Sequence, residues 1–213
     1  MRIGLINENS QAEKNQLIFQ QLQKAAEPYH HEVLNFGKLS KNDTRAMSYT
    51  EIGLQASILI ATKTVDFIVT GCGTGQGAAI SCNAFPNLIC GVITSPLDMY
   101  LFGQINAGNA ISIAYAEKFG WGSEIELKQI FNECFSHQFG QGYPEVYAES
   151  QKKSRERFAT IKKCIEPSML DIYRRFPSKE ISEVINYPEF SYFFNKYAEE
   201  GEVKNFISGY FNH

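Results

Sequence analysis

Residues 66–93 read DFIVTGCGTGQGAAISCNAFPNLICGVI, and this stretch decides the fold. Asp66 to Thr70 is a short run of apolar and β-branched residues, the composition of a strand. Glycines at alternate positions, Gly71, Gly73, Gly75 and Gly77, follow it. A short helical run then ends at Asn83, and Leu88 to Ile93 is strand-like again. Strand, glycine turn, helix and strand in close succession predict a crossover between parallel strands, because parallel neighbours cannot be joined by a tight hairpin.

The same alternation extends in both directions. Arg2 to Ile6 reads as a strand, and the stretch after it as a helix with Leu17, Ile18, Leu22, Ala25 and Ala26 on one face. Glu32 to Phe36 reads as strand, Tyr49 to Thr62 as helix, Pro96 to Asn106 as helix and Ala110 to Ala114 as a fifth strand. Five short apolar strands separated by helices predict an α/β fold: a doubly wound, five-stranded parallel sheet, Rossmann-like, covered on both faces. From about Glu117 the strand pattern stops. Glu124 to Phe135, Gln151 to Cys164, Met169 to Phe176 and Glu189 to Tyr197 look helical. We therefore expect an α/β domain over residues 1–148 and a C-terminal helical extension over 149–213. The extension is rich in aromatic residues, among them Tyr187, Phe190, Phe194, Phe206 and Phe211, which should pack on the α/β core or on a second subunit.

The 213-residue chain is 44% hydrophobic and 20% charged, with a formal net charge of -3. That profile excludes a largely disordered chain, and the absence of a basic run argues against nucleic acid or an anionic membrane as partner. No apolar stretch approaches membrane-spanning length, and MRIGLINENSQ at the start lacks a signal-peptide core, so a cytoplasmic protein is expected. Cys72, Cys82, Cys90, Cys134 and Cys164 are odd in number and lack C-x-x-C spacing, which argues for free thiols rather than a disulfide scaffold or structural zinc. His30, His31, His137 and His213 show no ligand spacing, so no metal is implied.

In such a sheet, ligands collect at the carboxyl ends of the strands, and the segment Gly71 to Gly77 sits at one of them. Its backbone N–H groups, at a helix N-terminus, suit a phosphate, a carboxylate or a developing enediolate. Cys72 lies inside the loop, where aligned amides favour a negatively charged sulfur, and is a candidate general base or nucleophile. Gly73 to Ala78 fits G-x-G-x-x-A, but it follows the third strand rather than the first, so a nicotinamide- or flavin-binding oxidoreductase is weakly supported. No Gly-Lys-Ser/Thr follows, which excludes a Walker-type nucleotide site. Glu8 and Asn9 end the first strand, and Thr94, Ser95 and Asp98 the fourth. These tips are expected to be neighbours, with Glu8 and Asp98 able to bind hydroxyls. Asn106 and Asn109 precede the fifth strand and could reach a polar ligand.

With these residues in place, VTGCGTGQGAAISCNAFPNLICGV, from Val69 to Val92, resembles the ribose-5-phosphate isomerase B and galactose-6-phosphate isomerase family. The likeness extends through Tyr49, Asp66 and the segment from Gln104 to Asn109, over about the first 145 residues. It implies a dimer, or a pair of dimers, with active sites near the subunit interface, interconverting aldoses and ketoses without metal or organic cofactor. By resemblance, Cys72 is the catalytic base and Thr74 assists proton transfer or ring opening. Gly73, Gly75, Gln76 and Gly77 form the loop that holds the enediolate, and Tyr49, Asn83 and Asn106 are substrate-side positions.

Several positions depart from the family pattern. An Asp-His pair is replaced by Glu8-Asn9, and the histidine that opens the sugar ring is replaced by Ile105. Where phosphate-binding arginines are expected, the chain reads GQGYPEVY over residues 140–147. Lost guanidinium bonds are worth roughly 1.5 to 3 kcal/mol each, so an unphosphorylated sugar or an open-chain keto sugar acid, such as a deoxy-hexulose uronate, becomes the expected substrate, with Tyr143 in contact. The alternatives are a ribose or galactose phosphate isomerase with an altered phosphate site, and a non-catalytic sugar-binding relative.

Overall fold

The computed structural model describes residues 1–45, 47–117 and 119–211; His213 lies outside them. Its sheet contains β1 (Arg2–Asn7), β2 (Glu32–Gly37), β3 (Phe67–Cys72), β4 (Cys90–Ile93) and β5 (Ala110–Ala114). All pairings are parallel and the order is β2-β1-β3-β5-β4. The chain thus winds outward from β1 to β2, then reverses to β3 on the other side, which places the topological switch between β1 and β3. The doubly wound architecture expected from the sequence is the one observed. The order corrects one expectation: β3 and β5 separate β1 from β4, so the tips carrying Glu8 and Asp98 are not neighbours.

Side-chain alternation along each strand feeds two cores. Ile3 and Leu5 face one side, where they meet Ile18 and Leu22 of α1 (Asn15–Ala26) and Phe131 of α5 (Ser123–Ser136). Ile6, Leu34, Phe36 and Ile68 face the other, under α2 (Tyr49–Ala61) and α3 (Gln76–Asn83). α2 is apolar nearly all round because a second layer covers it. That layer is α7 (Met169–Arg175), α8 (Ser178–Ile185), α9 (Pro188–Tyr197) and α10 (Glu202–Ser208), which bury Tyr173, Ile181, Val184, Phe190, Phe194 and Ile207 in the same core. Polar contacts fix the layer: Tyr173 Oη donates to Ser57 Oγ at 3.1 Å and Gln55 Nε2 to the Val184 carbonyl at 2.7 Å. Of the two destinations open to the aromatic extension, it takes the α/β core.

The elements deviate from sequence expectation at their ends. β4 starts at Cys90 rather than Leu88, because the Ile89 amide is taken by the Asn109 side chain. The helix that starts at Pro96 is α4 (Pro96–Leu101), which widens into a π turn over Phe102–Asn106 and ends at Ala107 with φ 49°. α8 and α10 have no counterpart in the sequence reading; each is only about two turns long. α6 (Ala148–Ile165) buries none of its residues and presents Phe158, Ile161 and Ile165 to the outside.

The connection from β2 to α2 is fastened to the second layer through Arg45. Its guanidinium donates to Asp43 (2.7 Å), to Glu189 on α9 (3.0 Å) and to the Phe36 carbonyl (3.2 Å), and lies 4.5 Å from the centre of the Tyr187 ring. Burial raises the Asp43 carboxyl, but donors from the Leu39 and Arg45 amides and from the guanidinium outweigh it and hold the group below its ordinary range. No described helix is long and apolar enough to cross a membrane.

Candidate active site

Cys72 is the last residue of β3 and is buried on the α2–α3 side. Its backbone continues the ladder: the Tyr115 amide donates to the Cys72 carbonyl and the Ala116 amide to that of Gly73, both at 2.9 Å. Gly75 then turns the chain with φ 73°, a left-handed conformation that strains any other L-residue, and becomes the N-cap of α3. A Cβ there would also lie 3.1 Å from the Ala114 amide nitrogen. Ser112 Oγ, buried, donates to the Gly75 carbonyl at 2.6 Å, and the Gln76 amide reaches Thr74 Oγ1 at 3.3 Å. Ser112 is thus part of the loop's support, although nothing in its strand-like surroundings marks it in the sequence.

Two further elements close around this loop. Asn9, beyond β1, exchanges two bonds with Met47: its amide donates to the Met47 carbonyl (2.8 Å) and its Oδ1 accepts from the Met47 amide (2.9 Å). That clamp places Ser48, whose capping box with Glu51 starts α2 at Tyr49. A Cβ on Gly77 would lie 3.0 Å from the Tyr49 ring, so the glycine lets the half-exposed ring lie against the first turn of α3. Glu8 accepts from the Ser10 amide at 3.0 Å and so caps the turn after β1. Glu8, Asn9, Tyr49, Cys72, Gly73, Thr74, Gly75, Gln76 and Gly77 therefore share the carboxyl edge of the sheet, near the switch point.

The remaining candidates lie elsewhere. Asp98 sits at the start of α4 beyond the edge strand, where the Thr94 hydroxyl and amide, working against burial, hold its carboxyl below the ordinary range. Asn83 is at the far end of α3, its amide bonded to the Cys90 carbonyl (2.9 Å) and amide (2.8 Å). Asn106 and Tyr143 are at the amino edge of the sheet. Since Cys72 pairs with Ala114 and Ile68 with Ala110, the two edges are about 13 Å apart along the strands. One chain cannot bring both edges to one small sugar.

At that amino edge the structure adds residues that the sequence reading missed. Gln151 of α6 accepts from the Tyr143 amide (2.9 Å) and donates to the Tyr143 carbonyl (2.6 Å). Arg155, one turn on, donates from its two terminal nitrogens to the carbonyls of Ile105 and Gly140, each at 2.8 Å. The available signal was the i, i+4 spacing of Gln151 and Arg155 on one helix face. Among the described residues no cluster of three metal-ligating side chains occurs.

A doubly wound parallel sheet with a glycine loop and a thiol at the carboxyl end of β3, beside the switch point, has the architecture of α/β proteins whose ligands bind at the strand tips. A family model described as Ribose/Galactose Isomerase matches residues 3–148. A structure of 4-deoxy-L-threo-5-hexosulose-uronate ketol-isomerase complexed with a tartrate is 33% identical, covers all of both chains and has a TM-score of 0.97. A ribose-5-phosphate isomerase from Vibrio parahaemolyticus is 36% identical over 99% of each chain, with a TM-score of 0.95. The type B ribose 5-phosphate isomerase from Trypanosoma cruzi, at 14% identity and a TM-score of 0.63, covers 77% of this chain and shares the fold. No curated protein sequence matches. The chain belongs to the ribose/galactose isomerase family and is a sugar isomerase that interconverts aldoses and ketoses.

Proposed function

We propose that the chain isomerises an open-chain keto sugar acid of the deoxy-hexulose uronate kind, through an enediolate, with Cys72 as general base. The sulfur takes the proton from the carbon beside the substrate carbonyl. The carbonyl oxygen becomes an oxyanion facing the amides of Gly73 to Gly77, and Thr74 passes a proton between the two oxygens. The proton held by Cys72 then returns to the neighbouring carbon, which completes the exchange of aldose and ketose. The observation that carries the choice of substrate is the segment 140–147, where Tyr143 and Tyr147 stand and no arginine does; Ile105 in place of a ring-opening histidine suits a substrate that is already open. The full-length likeness to the uronate isomerase, extension included, supports the same reading.

We also propose that the working unit is a homodimer, or a tetramer built from it, in which a second copy brings Asn106 and Tyr143 to the Cys72 loop. The wide separation of the two edges within one chain supports this. In that arrangement residues 1–148 carry the chemistry and 149–213 complete the core and the amino-edge cleft. A ribose-5-phosphate isomerase with a rebuilt phosphate site is the second reading, favoured by the Vibrio parahaemolyticus relative. Proton–deuterium exchange followed by NMR in D2O, across pentoses, hexoses, their phosphates and keto-uronates, separates the readings. Exchange with the uronate is expected; exchange confined to a sugar phosphate overturns the choice of substrate.

A further inference from the structure

We propose that Arg155 is the specificity-determining residue for the substrate's carboxylate, acting from the amino-edge cleft of one copy on the sugar held by Cys72 of the other; this rests on the keto-acid reading above. The cleft, of about 380 Å³, is lined by Ile105, Asn106, Ser154, Arg155 and Phe158. Arg155 is half-buried in it. Its terminal nitrogens each donate to a backbone carbonyl, those of Ile105 and Gly140, which orients the fork but leaves its charge uncompensated. The ion pairs of described arginines involve Arg45 and Arg174; Arg155 has no carboxylate within 4.0 Å among the described residues.

A partly desolvated cation without a counter-ion, held rigid beside the amide of Asn106, is complementary to an anion that arrives from outside. The chemistry of the lining favours a single carboxylate over a phosphate dianion. One guanidinium supplies one unit of charge, and the other polar groups, Asn106, Gln151 and Ser154, are neutral. The cleft is also continuous with a surface suited to a second copy. Phe158, Ile161 and Ile165 run along α6 from the cleft, 49%, 43% and 72% exposed, and Ile80 of α3, 69% exposed, lies on the helix that starts from the Cys72 loop. Covering these apolar groups with their counterparts would carry the cleft of one chain towards the thiol of the other.

The test compares steady-state kinetics on a keto-uronate and on the matching neutral ketose for full-length wild type, Arg155→Gln, Ser154→Asp and Arg157→Gln. Arg155→Gln should lower the ratio of kcat/KM for acid over neutral substrate by about 10- to 100-fold, the span of a charge-assisted hydrogen bond, mainly through KM. Ser154→Asp leaves the bonds to Ile105 and Gly140 in place and sets a negative charge at the cleft; it should lower the same ratio and keeps the test valid if Arg155→Gln folds poorly. Arg157→Gln, an exposed cation elsewhere on α6, should leave the ratio as in wild type. Unchanged ratios in folded Arg155→Gln and Ser154→Asp, or equal losses on both substrates, overturn the inference while the keto-acid reading stands. A wild-type enzyme that does not turn over the uronate overturns both.

Discussion

The contact between α2 and α3 offers a test of how the site is supported. Gly53 lies in α2, where alanine would ordinarily add about 1 kcal/mol of helix stability. Here a Cβ would sit 2.2 Å from the Ser81 carbonyl oxygen and 2.4 Å from Ser81 Oγ. Restoring ordinary contact needs the two helices to part by about 1.2 Å. Overpacking of that kind costs about 1–3 kcal/mol. The separation also stretches two bonds that join the helices, from the Gly53 amide to Ser81 Oγ (3.0 Å) and from Ser81 Oγ to the Thr50 carbonyl (2.9 Å). At about 0.5–1.5 kcal/mol each these add to the loss. With the helix gain subtracted, Gly53→Ala should destabilise the protein by about 1–5 kcal/mol, or about 2–20 °C in Tm for a chain of this size. Thermal and urea unfolding of the two proteins side by side measure it. Activity should fall as well, because the same displacement moves Tyr49 away from the first turn of α3. A Tm equal to or above that of the parent would refute the close approach of the helices and the support it gives the loop.

Other expectations concern chemistry and electrostatics. Cys72→Ala should fold normally and lose about 10²- to 10⁴-fold in kcat, the contribution of a general base; a variant with parental turnover removes Cys72 from that role. Mixing Cys72→Ala with Asn106→Ala chains, each inactive alone, should recover about a quarter of parental activity if each site draws on two copies, and no recovery would place both groups in one chain. Asp43, whose folded-state carboxyl is held low, contributes stability that is present above its unfolded value of about 4 and is lost as pH falls through the lower folded value. Asp43→Asn should therefore be less stable than the parent in urea melts at neutral pH, and the gap should close only below about pH 4; a gap independent of pH would mean that the ion pair with Arg45 is not its source.

The sheet was legible because strand-length apolar runs and glycine turns are local signals, and the loop from Gly71 to Gly77 declared its own position at a strand end. Strand order is not local. Nothing in the sequence around Asp66 or Ala110 shows that β3 lies beside β1 or that β5 inserts between β3 and β4, and these two strands are what separate Asp98 from Glu8. Asn83, at the end of the helix that follows the loop, and Asn106, before the fifth strand, were named as substrate-side by resemblance, yet helices α3 and α4 carry the chain back across the sheet and leave both at its other edge. Arg155 was hidden for the opposite reason. It follows the segment 140–147 in sequence, but the turn from Gly140 to Tyr147 folds α6 back over Ile105, and only in three dimensions does a guanidinium return to that region. α8 and α10 were passed over as short segments, although α8 sets Ile181, Val184 and Ile185 at helical spacing and buries all three in the core.

The strand order and the late helices also set a timetable for synthesis. β4 has β5 as its only neighbour in the sheet, so it must wait unpaired until residues about twenty positions later have left the ribosome. Gly75 waits with it, since Ser112 on that inserted strand anchors the loop. The delay for the outer face of α2 is longer. Ile58, Leu59 and Phe36 share their core with Tyr173, Phe190 and Ile207, so a nascent chain that has made the whole isomerase sheet still exposes an apolar surface until nearly its last residues appear. Contacts that span so much sequence form slowly and leave sticky intermediates. A chain arrested before α7 should be held by chaperones or aggregate, and the apolar face of α2 is covered only when α7 to α10 are in place.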